Sequence, residues 1–125
     1  MKLLLVDDDA FLRDLYAIKF GESGFEVSIA ENGQQALTKI EHTPDFEVVL
    51  LDMIMPGMNG IELIQEIKSR FSEIDICLIV LSNQGQETDV ADATRAGAAG
   101  YIVKAEAIPS DVVAQVKEII NKYKG

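Results

Sequence analysis

The feature that most constrains this chain is a set of short apolar runs set at helix-length intervals. Leu3–Val6, Val48–Leu51, Ile76–Leu81 and Tyr101–Val103 are β-branched or leucine-rich and are bounded by charge, proline or glycine. Runs of that length and composition suit strands buried on both faces, because a strand with one wet face would alternate. A fifth segment, Phe25-Glu26-Val27-Ser28-Ile29, does alternate and reads as a half-buried strand at a sheet edge.

The intervals between the runs read as helices. Val112, Val113, Val116, Ile119, Ile120 and Tyr123 recur at spacings of three and four, and Pro109, Ser110 and Asp111 suit that helix's first turn. Ile61, Ile64, Ile67 and Phe71 share one face of another helix, with Asn59-Gly60 as its start signal. Leu12, Leu15, Ile18 and Lys19 predict a helix that Gly21 or Gly24 ends, and Ala36, Leu37 and Ile40 predict a short one. Between Ser82 and Tyr101 the apolar stripe thins to Val90, Ala91, Ala93 and Ala96, with Gly97 as terminator. The pattern is therefore β-α repeated five times. Helix-length crossovers force parallel pairing, and right-handed crossovers place helices on both faces. The expected fold is a three-layer α/β sandwich with a five-stranded parallel sheet and five helices, one domain over residues 1–125.

Composition narrows the function classes. The 21 acidic and 11 basic side chains give a net charge of −10, which argues against binding to nucleic acid or to an anionic membrane surface. A hydrophobic content of 48% with 26% charged residues fits a globular chain rather than a disordered one. One cysteine excludes an internal disulfide and a cysteine-rich metal site. No apolar run approaches the ~20 residues of a membrane span and the N-terminus lacks a signal-peptide pattern, so the expected location is cytoplasmic.

In an open parallel sheet, ligands bind at the carboxyl ends of the strands. Asp7, Asp8 and Asp9 follow the first strand, Asp52 the third, Ser82 the fourth and Lys104 the fifth. An isolated acidic triplet is ordinarily a solvated loop, and Asp9 suits the cap of the following helix. If the first and third strands are neighbours, however, their carboxylates converge and repel unless a cation compensates. An all-oxygen site with retained waters suits a hard divalent ion, Mg²⁺. His42, the only histidine, sits in what reads as an exposed helix end, which leaves Ser82 without a base and a catalytic triad without support. A carboxylate beside Mg²⁺, a hydroxyl donor and a lysine is what a phosphoryl group on Asp52 would require.

The segments Leu5-Val6-Asp7-Asp8-Asp9, Val49–Gly60, Val80-Leu81-Ser82 and Gly97–Lys104, in this order and spacing, resemble the receiver domain of two-component response regulators of the stand-alone, chemotaxis-regulator-like kind. The resemblance covers essentially the whole chain. It implies a flavodoxin-like, doubly wound sheet of order 2-1-3-4-5. It also implies that Asp52 accepts a phosphoryl group from a histidine kinase or phosphotransfer protein. Asp7, Asp8, Asp52 and the backbone carbonyl of Ile54 would bind Mg²⁺, with Mn²⁺ as a substitute, while Ser82 and Lys104 hold the phosphoryl oxygens. Ser82 and Tyr101 would form the switch, moving contacts on the face of the fourth helix, fifth strand and fifth helix toward a downstream protein or a phosphorylation-dependent homodimer. The reading is of a phosphoacceptor, not a turnover enzyme.

Two departures from the family pattern stand out. Proline ordinarily follows the lysine through a cis peptide, whereas Ala105 stands here, which predicts a strained or trans bond and leaves the placement of Lys104 and the form of the switch open. Ile54 and Gln84 lie two residues beyond Asp52 and Ser82, where a hydrolytic water would approach. Isoleucine cannot orient that water, whereas the Gln84 amide offers a group that could; slow dephosphorylation is the expectation. Two rival readings remain: a receiver-like module that binds independently of phosphorylation, and a haloacid-dehalogenase-like phosphatase. The latter's Asp-x-Asp motif is met by Asp7-Asp8-Asp9, but Ala10-Phe11 replaces its Gly-Thr and the chain is short for that fold. Nucleotide binding lacks both a Gly-x-Gly-x-x-Gly and a Walker-type motif.

Overall fold

The computed structural model describes residues 1–125. Five strands alternate with five helices: β1 (Lys2–Val6), α1 (Ala10–Glu22), β2 (Glu26–Ala30), α2 (Gly33–His42), β3 (Val48–Leu51), α3 (Gly60–Arg70), β4 (Cys77–Ser82), α4 (Glu87–Ala96), β5 (Gly100–Val103) and α5 (Pro109–Lys124). A short 3-10 turn, Lys104–Glu106, links β5 to α5. The sheet is wholly parallel with order β2-β1-β3-β4-β5, the expected doubly wound arrangement.

The pleat sorts the apolar runs into two cores. Leu4, Val6, Val49, Leu51, Leu78 and Val80 face the layer of α2, α3 and α4, packing on Leu37, Ile40, Leu63, Ile64, Ile67 and Ala93. Leu3, Leu5, Val48, Leu50, Ile79 and Leu81 face α1 and α5, packing on Tyr16, Phe20, Val112, Val116 and Ile120. Each residue of β3 and β4 is buried, which is why those strands read as unbroken apolar runs. β2 pairs only with β1, at the sheet edge its alternation predicts, but its exposure does not alternate: Glu26 and Ile29, on opposite faces, are both exposed.

Local signals place most helix ends. Asn59 caps α3 and exchanges bonds with Glu62 in a capping box, and Pro109 opens α5. Gly97 ends α4 at φ +122°, in the left-handed region that favours glycine. Two sequence expectations need correction. Helix α1 runs through Gly21 to Glu22 and is ended by Gly24, at φ +94°, the second of the two glycines proposed, but its buried face is Arg13, Tyr16 and Phe20 rather than Leu12, Leu15, Ile18 and Lys19. Ile18 is exposed, as is Phe11. In α4 only Ala93 is buried, and Ala91 faces solvent.

Candidate functional site

Strand register brings the chemistry together. Val6 pairs with Leu51, so Asp7 and Asp52 leave neighbouring strands in step. Ladder-like bonds continue one residue past each strand: the Asp7 N–H donates to Ala30 O (3.2 Å) and the Asp52 N–H to Val6 O (3.2 Å). Ser82 pairs with Val103, so Lys104 leaves β5 alongside the end of β4. Asp7, Asp8 and Asp52 each offer a carboxylate oxygen, all within 4.8 Å of one another.

Lys104 closes the site from the far side of the sheet edge. Its Nζ donates to Asp7 Oδ2 at 2.8 Å and to Asp52 Oδ2 at 3.0 Å. All three side chains are sequestered, at 6% exposure for Lys104, 2% for Asp7 and 13% for Asp52. Burial alone would depress the Lys104 pKa, but the hydrogen bonds and charges of Asp7 and Asp52 outweigh it and hold the pKa above its ordinary value. All peptide bonds are trans, including Lys104–Ala105. The placement of Lys104, left open by Ala105, is thus resolved: the 3-10 turn that begins at Lys104 delivers its ammonium to both carboxylates without a proline.

The remaining carboxylate oxygens are aimed by backbone. Asp7 Oδ1 accepts from the Asp9 N–H (2.9 Å) and Asp52 Oδ1 from the Ile54 N–H (3.2 Å). Asp8 is exposed, and Asp9 caps α1 through the Leu12 N–H, as its position suggests. Three carboxylates against one ammonium leave a local charge of −2 (−3 + 1). An all-oxygen set of that charge, dry on one side and open at Asp8, fits a hard divalent cation such as Mg²⁺.

Ser82 is buried at the end of β4, and its Oγ accepts from the Gln84 N–H at 3.2 Å. The helix cap is Gln86 instead, so Ser82 is not a capping serine. Tyr101 is half-buried against the α2–α4 core, and its hydroxyl donates to the Gln84 carbonyl. Burial foremost, with the Asp89 charge, raises the Tyr101 pKa, which keeps that hydroxyl protonated as a donor. Ile54, 62% exposed, and the exposed Gln84 lie two residues beyond Asp52 and Ser82. His42 lies exposed at the end of α2 with Nδ1 at 2.9 Å from Thr38 O, away from this edge.

Two residues belong to the site that sequence reasoning passed over. Gly60, taken as a helix start, packs directly on the Asp52 backbone: a Cβ there would lie 2.5 Å from Asp52 O and 2.7 Å from Met53 Cα. Arg13, on the buried face of α1, donates from Nη1 to the Asp7 carbonyl at 2.9 Å. A cation one turn beyond an acidic triplet was the available signal, but a charged helical residue ordinarily reads as solvated.

An open parallel α/β sheet that gathers three carboxylates and an ammonium at its carboxyl edge, with a serine at the end of the neighbouring strand, defines a class of ligand site at the strand ends whose acidic cluster suits a divalent cation. The sequence matches the family described as response regulator receiver domain over residues 3–117, and the chain belongs to that family of two-component signalling domains. It is 44% identical over 105 residues to the chemotaxis protein CheY of Bacillus subtilis, covering 82% of this chain and 84% of that protein. It is 36% identical over 121 residues to the phosphate regulon transcriptional regulatory protein PhoB of Pseudomonas aeruginosa. That match covers 96% of this chain but only 52% of PhoB, so the chain spans about half the length of such a relative. Among solved structures, a CheY-like response regulator receiver domain protein from Methanospirillum hungatei superposes with a TM-score of 0.86 at 28% identity, covering 98% of this chain and 95% of that one. No helix is long and apolar enough to cross a membrane.

Proposed function

We propose that this chain is a phosphoacceptor in a cytoplasmic two-component relay, with Asp52 taking a phosphoryl group from a histidine kinase or phosphotransfer protein. The observation that carries the reading is the paired grip of Lys104 on Asp7 and Asp52, at 2.8 and 3.0 Å, beside a third carboxylate. The nucleophile is an Asp52 carboxylate oxygen. It attacks phosphorus, the P–N bond to the donor imidazole breaks, and the electron pair returns to the ring nitrogen, giving an acyl phosphate on Asp52. Asp7, Asp8, Asp52 and the Ile54 carbonyl would hold Mg²⁺, or Mn²⁺ in its place, which neutralises phosphoryl oxygen charge when bound. Lys104, already fixed between the two carboxylates, neutralises a second oxygen, and Ser82 turns its hydroxyl from the Gln84 N–H to donate to a third.

That movement of Ser82 carries the switch. Losing the bond from the Gln84 N–H frees that backbone, and with it the carbonyl on which the Tyr101 hydroxyl rests, so that Tyr101 can adopt another rotamer. Helix α4 responds most readily, because Ala93 is its only buried residue. The altered surface is the α4–β5–α5 face, read by a downstream protein or by a second phosphorylated copy. The exposed Ile54 side chain has no polar atom with which to orient a hydrolytic water, so the acyl phosphate is expected to persist well beyond seconds in Mg²⁺ buffer; decay within seconds would contradict that assignment.

Incubation with Mg²⁺ and a small-molecule phosphodonor, read by intact mass, tests the function. The wild type gains one phosphoryl group and Asp52→Asn gains none. Equal labelling of both proteins, or of neither, overturns the reading.

A further inference from the structure

The guanidinium of Arg13 is only 9% exposed, an expensive place for a charge on a surface helix. Its Nη1 donates to the Asp7 carbonyl at 2.9 Å, its Nη2 reaches Glu31 Oε1 at 3.4 Å, and its buried Nε has no partner. An apolar side chain at this position would fill the same space without that cost, and exchanging buried ions for packed apolar groups is often neutral or stabilising. The placement of the charge therefore serves geometry rather than stability.

What it holds is specific. With Arg13 on its carbonyl, each polar atom of Asp7 is engaged: N–H to Ala30 O, Oδ1 from the Asp9 N–H, Oδ2 from Lys104 Nζ and C=O from Arg13 Nη1. Fixing the carbonyl fixes the plane of the Asp7–Asp8 peptide. That plane sets where the exposed Asp8 side chain starts. The far hand of Arg13 rests on the β2–α2 loop, where Gln35 bonds both the Glu31 N–H (2.9 Å) and Glu31 Oε2 (3.2 Å). Asn32, the cap of α2, accepts from the Gln35 N–H at 2.9 Å. The acidic turn is thus braced against the capped end of α2.

We infer that Arg13 is a positioning residue for the divalent cation, holding the Asp7–Asp8 peptide so that both carboxylates point to one ion. The inference rests on the cation reading above and extends it to a residue that touches no ligand atom. Its sign separates it from plain electrostatics: removing a nearby positive charge would by itself tighten Mg²⁺ binding, whereas losing the brace loosens it. Groups that orient metal ligands typically contribute ~10–100-fold to affinity.

The test is calorimetric titration of Mg²⁺ into metal-free wild type, Arg13→Met and Arg13→Lys, with amide hydrogen exchange at Asp9 measured in the absence of metal. Arg13→Met is expected to bind Mg²⁺ about tenfold or more weakly. Arg13→Lys, which keeps the charge but cannot span Asp7 and Glu31, is expected to fall between, and the Asp9 amide is expected to exchange faster in both. Unchanged or tighter Mg²⁺ binding in folded Arg13→Met overturns the inference, as does unchanged Asp9 exchange. If Arg13→Met does not fold, Arg13→Lys decides by the same two readouts. A wild type that binds no Mg²⁺ would instead refute the cation reading, while the exchange data still judge the brace.

Discussion

Replacing Lys104 with methionine keeps most of the side chain's apolar stem and removes only the ammonium that joins Asp7 to Asp52. An exposed ion pair is worth little, but these three groups are 6%, 2% and 13% exposed, so the relevant case is a buried pair that loses one partner. Such losses typically cost ~3–5 kcal/mol. Here the Asp9 and Ile54 N–H groups still serve one oxygen of each carboxylate, which places the expected cost near the lower end, about 3 kcal/mol in metal-free buffer. For a domain of this size that is a fall in Tm of roughly 10 °C. The same change leaves three carboxylates without a compensating charge, so Mg²⁺ should bind ~tenfold or more tightly and narrow the gap in Tm. The assay is thermal unfolding by circular dichroism of both proteins in EDTA and in a Mg²⁺ series. An unchanged Tm in EDTA, or a gap that Mg²⁺ leaves untouched, would refute the claim that mutual repulsion of the carboxylates governs this edge.

Other consequences follow from single contacts. Gly60→Ala forces a Cβ to 2.5 Å from Asp52 O, so backbone must shift; a loss of ~1–3 kcal/mol in urea unfolding and slower phosphorylation at Asp52 are expected. Gly21→Ala, inside α1 with nothing within 4 Å, instead leaves phosphorylation unaltered and stabilises by up to ~1 kcal/mol. Burial pushes the Cys77 thiol up to about 11, and its side chain is sealed inside β4, so a thiol reagent at pH 8 should label it only after unfolding. The hydrogen bond to Asp75, aided by burial, pushes Tyr123 up to about 12. An unfolded tyrosine titrates near ~10. The stabilisation is therefore complete below the unfolded value and is lost as pH rises from there through the folded one. Tyr123→Phe should flatten that alkaline loss in a pH series of unfolding midpoints.

The sheet was legible because burial on both faces leaves a direct trace in composition: β3 and β4 contain only side chains that a dry interior accepts until Ser82. The site was legible for a related reason. Asp52 and Lys104 immediately follow their strands, and Ser82 ends β4, so strand ends locate chemistry without knowledge of side-chain direction. Helix faces were less legible where bulky aromatics outweigh aliphatic spacing. On α1 the aliphatic residues Leu12, Leu15 and Ile18 suggest one face, yet the helix turns Tyr16 and Phe20 inward, where they are buried in the apolar cluster beneath α1 and α5, and Arg13 lies on the same face. The effect of Ala105 was equally hidden. Whether a lysine reaches two carboxylates depends on the turn after β5, which no local spacing encodes.

The account turns on which atom carries the phosphoryl group. An aspartyl phosphate can be reduced by borohydride to homoserine at the residue that held it, so phosphodonor treatment, borohydride trapping and peptide mass mapping would locate the acceptor directly. The account predicts homoserine at position 52 alone, dependent on Mg²⁺ and abolished by EDTA. Homoserine at position 7 or 8, or a phosphate that resists borohydride and maps to Ser82, would contradict it.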